Sequence, residues 1–62
     1  MFILELRKKY NMTQKELAKK LGVGASCISN YENGVREPSI LILIKLSEIF
    51  HCTIDELVRG VK

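Results

Sequence analysis

Thr13-Gln14-Lys15-Glu16-Leu17-Ala18-Lys19-Lys20-Leu21-Gly22-Val23-Gly24-Ala25-Ser26-Cys27-Ile28-Ser29-Asn30-Tyr31-Glu32-Asn33-Gly34 is the stretch whose reading decides the fold. Thr13 and Glu16 have the spacing of a capping box, in which the hydroxyl accepts from the Glu16 amide and the carboxylate reaches back to the Thr13 amide. A helix therefore opens at Gln14. Its apolar residues Leu17, Ala18 and Leu21 lie together, and Gly22 stands where a helix end favours a left-handed residue. A second helix is predicted from about Ala25 to Glu32, with Ile28 and Tyr31 three apart and facing inward, until Asn33-Gly34 signals a turn. Ala18 is small where the two helices cross, and Leu17, Leu21, Val23, Ile28 and Tyr31 supply the apolar contacts that set the crossing.

Outward from this pair the chain stays helical. Towards the N-terminus, Phe2, Ile3, Leu6 and Tyr10 recur at helical spacing, predicting a helix from about Phe2 to Lys9 that Asn11 ends. Beyond the turn, Pro38-Ser39 opens a helix with Ser39 as N-cap, running to about Phe50. Thr53-Ile54-Asp55-Glu56 is a second capping box, starting a last helix that Gly60 ends. No apolar run alternates as a strand does, and no linker, repeat or low-complexity segment interrupts the pattern. The expectation is an all-α fold of five helices, with residues 1–62 forming a single helix-turn-helix domain.

Sixty-two residues bury only about 60% of the surface of the unfolded chain, so stability is expected to be marginal. The hydrophobic share of 47% nevertheless provides a core without metal or disulfide staples. Cys27 and Cys52 do not make the framework of a small secreted domain, and a reducing cytoplasm fits them best. Phe2-Ile3-Leu4 is too short for a signal-peptide core and is interrupted by Glu5. The most apolar stretch, Ile40 to Leu46, contains Lys45 and falls far short of the roughly 20 residues that span a bilayer, so no membrane role is expected. His51 is the only histidine, and neither it nor Cys52 has partners at metal-ligand or acid–base spacing. No metal, cofactor, small-molecule effector or enzymatic activity is therefore expected. A charge of +3 and a pI near 9.1 are compatible with a nucleic-acid partner without requiring one.

Taken together, Leu6-Arg7, Thr13-Gln14-Lys15-Glu16-Leu17-Ala18, Leu21-Gly22-Val23, Ile28-Ser29, Glu32-Asn33-Gly34, Pro38-Ser39 and Thr53-Ile54-Asp55-Glu56-Leu57 resemble the lambda Cro/repressor-type (Xre-like) helix-turn-helix family. The resemblance covers practically the whole chain. It implies a five-helix lambda-repressor-like domain, bacterial or phage-encoded, that binds operator DNA and regulates transcription, usually as a symmetric dimer. In such a motif the second helix enters the major groove, about 12 Å wide, with its N-terminal residues against base edges.

Since Ile28 and Tyr31 face inward, Ala25, Ser26, Ser29 and Asn30 face outward. Asn30 suits a bidentate contact to adenine, the serines suit several bases, and the Ala25 methyl suits a thymine methyl. The resemblance places Ala25, Ser26 and Asn30 on base-reading positions and Gln14 on a phosphate position at a helix start. Lys15, Lys19, Asn33 and Arg36 are further phosphate candidates, while Lys8, Lys9 and Lys20, with Lys19 in its plainer reading, are a solvated face. Gly24 departs from the serine that relatives often carry as N-cap. Arg7 and Glu32 match a recurrent ion pair of the family.

The fourth helix carries more hydrocarbon than one small core uses. With Leu43, Leu46 and Phe50 inward, Leu41 falls on the opposite side and Ile42, Ile44 and Ile49 on the flanks. Together with Val58 and Val61 they are the expected homodimer interface, setting two recognition helices about 34 Å apart over a palindromic operator. A restriction-modification controller or an antitoxin of the same fold is an alternative role, as is a protein-interaction module that no longer binds DNA.

Overall fold

Helix boundaries fall where the sequence supplies partners for the backbone groups that a helix leaves unsatisfied at its ends. The computed structural model describes residues 2–60. Its elements are α1 (Ile3–Lys9), α2 (Gln14–Leu21), α3 (Ala25–Glu32), α4 (Ile40–Ile49) and α5 (Ile54–Arg59), with no strand among the described residues. Thr13 Oγ1 accepts from the Glu16 amide at 3.0 Å, and Glu16 Oε1 accepts from the Thr13 amide at 2.9 Å. Thr53 and Glu56 repeat both bonds at the same distances. Ser39 Oγ accepts from the Ile42 amide at 3.3 Å, opening α4 as its spacing predicts. Phe2 and Phe50 stand just outside the regular turns of α1 and α4 as their caps.

Four helices end on one device. Asn11, Gly22, Gly34 and His51 have left-handed φ values of 56°, 75°, 73° and 51°. In each case the next residue's amide reaches back to a carbonyl in the last turn: Met12 to Arg7, Val23 to Ala18, Val35 to Asn30 and Cys52 to Ser47, at 2.9–3.0 Å. This is the Schellman pattern, which consumes carbonyls that would otherwise lack donors. Three of these ends run straight into the next cap. The α1–α2, α2–α3 and α4–α5 connections thus share one plan of left-handed residue, apolar residue and extended cap residue. Their middle residues, Met12, Val23 and Cys52, all pack against the core.

That core draws on every helix: Ile3 and Leu6, Leu17, Ala18 and Leu21, Ile28 and Tyr31, Leu46 with its neighbour Phe50, and Leu57. Tyr10 behaves differently from the other members of its apolar stripe. It lies past the last turn of α1 and is partly exposed, yet its ring stacks on Phe50 with centroids 5.6 Å apart. Its hydroxyl donates to the Phe50 carbonyl at 3.0 Å, tying the end of α1 to the end of α4. At the other end of α1, the Phe2 amide donates to the Leu57 carbonyl at 3.0 Å. The Phe2 ring approaches Gly60 so closely that a Cβ there would meet it at 2.6 Å, and Gly60 also has a φ of 112°. Only glycine fits both demands.

Candidate nucleic-acid interface

Helix α3 is anchored by Ile28 and Tyr31, so its opposite side is free. Ala25 and Ser26 are exposed there, and Ser29 and Asn30 are half-buried beside them. This surface holds short, uncharged groups only. Cys27 turns towards the core and not towards the free side. Asn33 Nδ2 donates to Ser29 Oγ at 3.3 Å, so one base-reading candidate and one phosphate candidate are linked across a turn. Gly24 takes the extended conformation of a cap, with φ −80° and ψ 156°, but supplies no side-chain bond. The start of α3 therefore lacks the side-chain closure that Thr13 gives to α2.

The cationic candidates lie outside α3. Lys15 and Lys19 are exposed one turn apart on α2, and Arg36 is exposed in the segment after α3. Glu16 is committed to its cap: the hydrogen bonds from the Thr13 amide and hydroxyl hold its carboxyl below the ordinary carboxylate range.

The orientation of α3 is set at its last residue. Glu32 Oε2 lies 2.6 Å from Arg7 Nε, and the side chains retain exposures of 4% and 12%. Arg7 Nη2 donates to Glu32 Oε1 at 3.4 Å, and Arg7 Nη1 donates to the Met12 carbonyl at 2.8 Å. Gln14 Nε2 donates to Glu32 Oε1 at 2.9 Å. A buried charge needs such company, because desolvation without partners costs several kcal/mol. The bond from Gln14 was not anticipated from the sequence. No local pattern signals it, since the two residues lie 18 positions apart.

A second free surface lies on α4. Leu41 and Ile40 keep 73% and 68% of their surface, and Val58 and Ile44 keep 47% and 42%. Ile42 and Ile49 instead pack against the core, because they lie on the arc next to Leu46. The exposed apolar stripe is therefore narrower on that flank than the expected interface. Ile40 extends it on the other side; its spacing of four from Ile44 was the available signal. Val61 lies outside the described residues. A shallow groove lined by Glu37, Pro38, Leu43 and Val58 borders the stripe.

A cleft near the end of α4 is lined by Ser47, Glu48, His51, Cys52, Thr53 and Glu56. Burial, and then the nearby Glu56 carboxylate, push the Cys52 thiol above its ordinary value. Among the described residues no three His, Cys, Asp or Glu side chains gather as metal ligands, and no helix is long and apolar enough to cross a membrane.

Two helices crossed over a tight turn, the second with a free polar side, define a DNA-reading class of domain. The helix-turn-helix family model matches residues 3–57, and the chain belongs to this Cro/repressor-type (Xre-like) family of non-enzymatic, DNA-binding transcription regulators. An uncharacterised HTH-type transcriptional regulator of Archaeoglobus fulgidus is 44% identical over 55 residues, covering 89% of this chain and 79% of its own length. The HTH-type transcriptional regulator ImmR of Bacillus subtilis is 43% identical over 53 residues, covering 86% of this chain and 42% of its own. The HTH-type transcriptional activator BcrR of Enterococcus faecalis is 41% identical over 56 residues, covering 90% of this chain and 28% of its own. The chain thus spans most of the archaeal relative but less than half of the two bacterial ones. No solved structure matches it.

Proposed function

We propose that this chain acts in the cytoplasm as a sequence-specific transcriptional repressor that binds a palindromic DNA operator as a homodimer. The observation that carries the reading is the free side of α3: Ala25 and Ser26 exposed, Ser29 and Asn30 beside them, on a helix fixed from behind by Ile28, Tyr31 and the Arg7–Glu32 pair. Short groups let the helix backbone approach the floor of the major groove closely. Asn30 then reads adenine, Ser26 and Ser29 bond to neighbouring base edges, and the Ala25 methyl meets a thymine methyl. Because α3 has no cation of its own, register on the duplex comes from phosphate contacts on its flanks. Gln14, Lys15, Lys19, Asn33 and Arg36 supply them.

The exposed stripe of Ile40, Leu41, Ile44 and Val58 gives the dimer its contact. An isologous two-fold pairing there covers hydrocarbon that costs free energy while wet, and it places two α3 helices about one turn of DNA apart. Ile42 and Ile49 contribute only their uncovered edges.

Selection of bound duplexes from a random pool, followed by footprinting, tests the reading. An inverted repeat with half-sites about one helical turn apart is expected, with affinity falling linearly on a log–log salt plot as counterions are released. Placing that sequence over a reporter promoter should lower transcription. A chain that binds no duplex at low salt overturns the proposal.

A further inference from the structure

The pairing of Arg7 with Glu32 does not exhaust the Glu32 carboxylate. Oε2 faces Arg7 Nε at 2.6 Å, whereas Oε1 has its shorter contact, 2.9 Å, with Gln14 Nε2. An ionised carboxylate only accepts hydrogen bonds, so of the two ends of the Gln14 carboxamide only the NH2 end suits it. The carbonyl end would set two acceptors against each other. Glu32, at 4% side-chain exposure, thereby dictates which way the Gln14 amide points. One amide hydrogen is consumed, and the second is left for an acceptor outside, because Gln14 itself is only half-buried.

We propose that Glu32 is a positioning residue for DNA binding, which orients the Gln14 carboxamide as a hydrogen-bond donor to a backbone phosphate. The proposal rests on the reading of the chain as a DNA binder. Glu32 is also the last residue of α3, so the same carboxylate joins the phosphate grip at the start of α2 to the helix that enters the groove. Tightening on the backbone and aiming at the bases become one rigid event. Arg7 completes the arrangement in two ways. It offsets the Glu32 charge, which would otherwise repel the phosphate, and its bond to the Met12 carbonyl holds the turn that leads into α2.

A double-mutant cycle on duplex binding tests this, using wild type, Gln14→Ala, Glu32→Gln and the double variant on one random-sequence duplex at low salt. Compared at equal concentrations of folded protein, Gln14→Ala should weaken binding about 5–10-fold, as expected for one charge-assisted hydrogen bond. In the Glu32→Gln background, where either end of the Gln14 carboxamide finds a partner and its direction is no longer dictated, the same change should cost less than about twofold. Hydrogen exchange of the side-chain amides in the free wild type gives an independent reading. The Gln14 NH2 should exchange several-fold more slowly than that of the exposed Asn11, and this measurement decides the matter if Glu32→Gln does not fold. A wild type that binds duplex but shows additive losses, or a Gln14 amide that exchanges as fast as that of Asn11, overturns the positioning role alone. A wild type with no duplex affinity overturns the DNA reading and the proposal with it.

Discussion

Helices α3 and α4 are each held by one side and free on the other, yet the free sides are chemically opposite. Helix α3 buries Ile28 and Tyr31 and presents Ala25, Ser26, Ser29 and Asn30; α4 buries Leu46 at full depth and presents Ile40, Leu41 and Ile44. Small polar groups lose little by standing in water and regain their bonds on a base edge. Exposed isoleucine and leucine cost about 25 cal/mol for each Å² left wet. Under the proposed function one surface samples duplexes and the other is covered by a second copy. Their anchorage differs too. The C-terminal end of α3 is fixed by a polar hub of Arg7, Gln14 and Glu32, which constrains direction, whereas α4 relies on apolar contacts, which constrain mainly depth.

Removing the hub should break this comparison most severely. Arg7→Ala strands the Glu32 carboxylate in a nearly buried position, and chemical denaturation should show a loss of about 3–5 kcal/mol. A loss below about 0.5 kcal/mol, typical of ordinary surface changes, would mean that Ile28 and Tyr31 suffice to hold α3. Next in size is Leu41→Glu, which buries a charge only if α4 pairs with a second copy. Self-association followed by sedimentation equilibrium should weaken by about 2–4 kcal/mol while thermal unfolding of the monomer is unchanged, since Leu41 is 73% exposed. An unchanged molecular mass would reduce the α4 stripe to ordinary surface.

On α3 the effects should be smaller and selective. Asn30→Ala should cost about 1–3 kcal/mol on the preferred duplex and relax choice at one base pair, read by competition among single-base variants. Lys15→Ala should weaken all duplexes alike and lower the salt slope by about one. If Asn30→Ala also acts uniformly, the free side of α3 does not read bases.

The helix starts give the smallest contrasts. Thr13→Ala should cost about 1 kcal/mol, whereas Gly24→Ser should gain a few tenths, because α2 has a side-chain cap to lose and α3 has one to acquire. Glu16 adds a pH signature. Its folded carboxyl titrates below the ordinary value, owing first to the Thr13 amide bond, so the ionised form is the stabilising one. That contribution is complete above the ordinary carboxylate range and is lost as pH falls through the lowered folded value. Melts of wild type and Glu16→Ala should therefore converge in acid. A constant difference down the pH range would assign the cap to Thr13 alone.

The amino-acid sequence by itself determined the elements and most of their inner faces. Thr13 with Glu16, Thr53 with Glu56, Ser39, Gly22 and Asn33-Gly34 act within a single turn, where chemistry and spacing in the chain coincide with contacts in space. Ile28 and Tyr31, three apart, are enough to show which side of α3 faces inward. The Arg7–Glu32 pair was legible only through family resemblance, since its partners lie 25 positions apart. Tertiary structure alone decided the rest. Ile40-Leu41-Ile42-Leu43-Ile44 is apolar at every step, so the helical period finds the outer side at Leu41 but not how wide it is, and only the packed neighbours of α4 leave Ile40 and Ile44 wet while Ile42 is half covered. Likewise Gln14 could have donated to solvent and Tyr10 could have joined the core. Their bonds to Glu32 and to the Phe50 carbonyl exist because distant helices bring an acceptor within reach, and no rule of local spacing encodes that meeting.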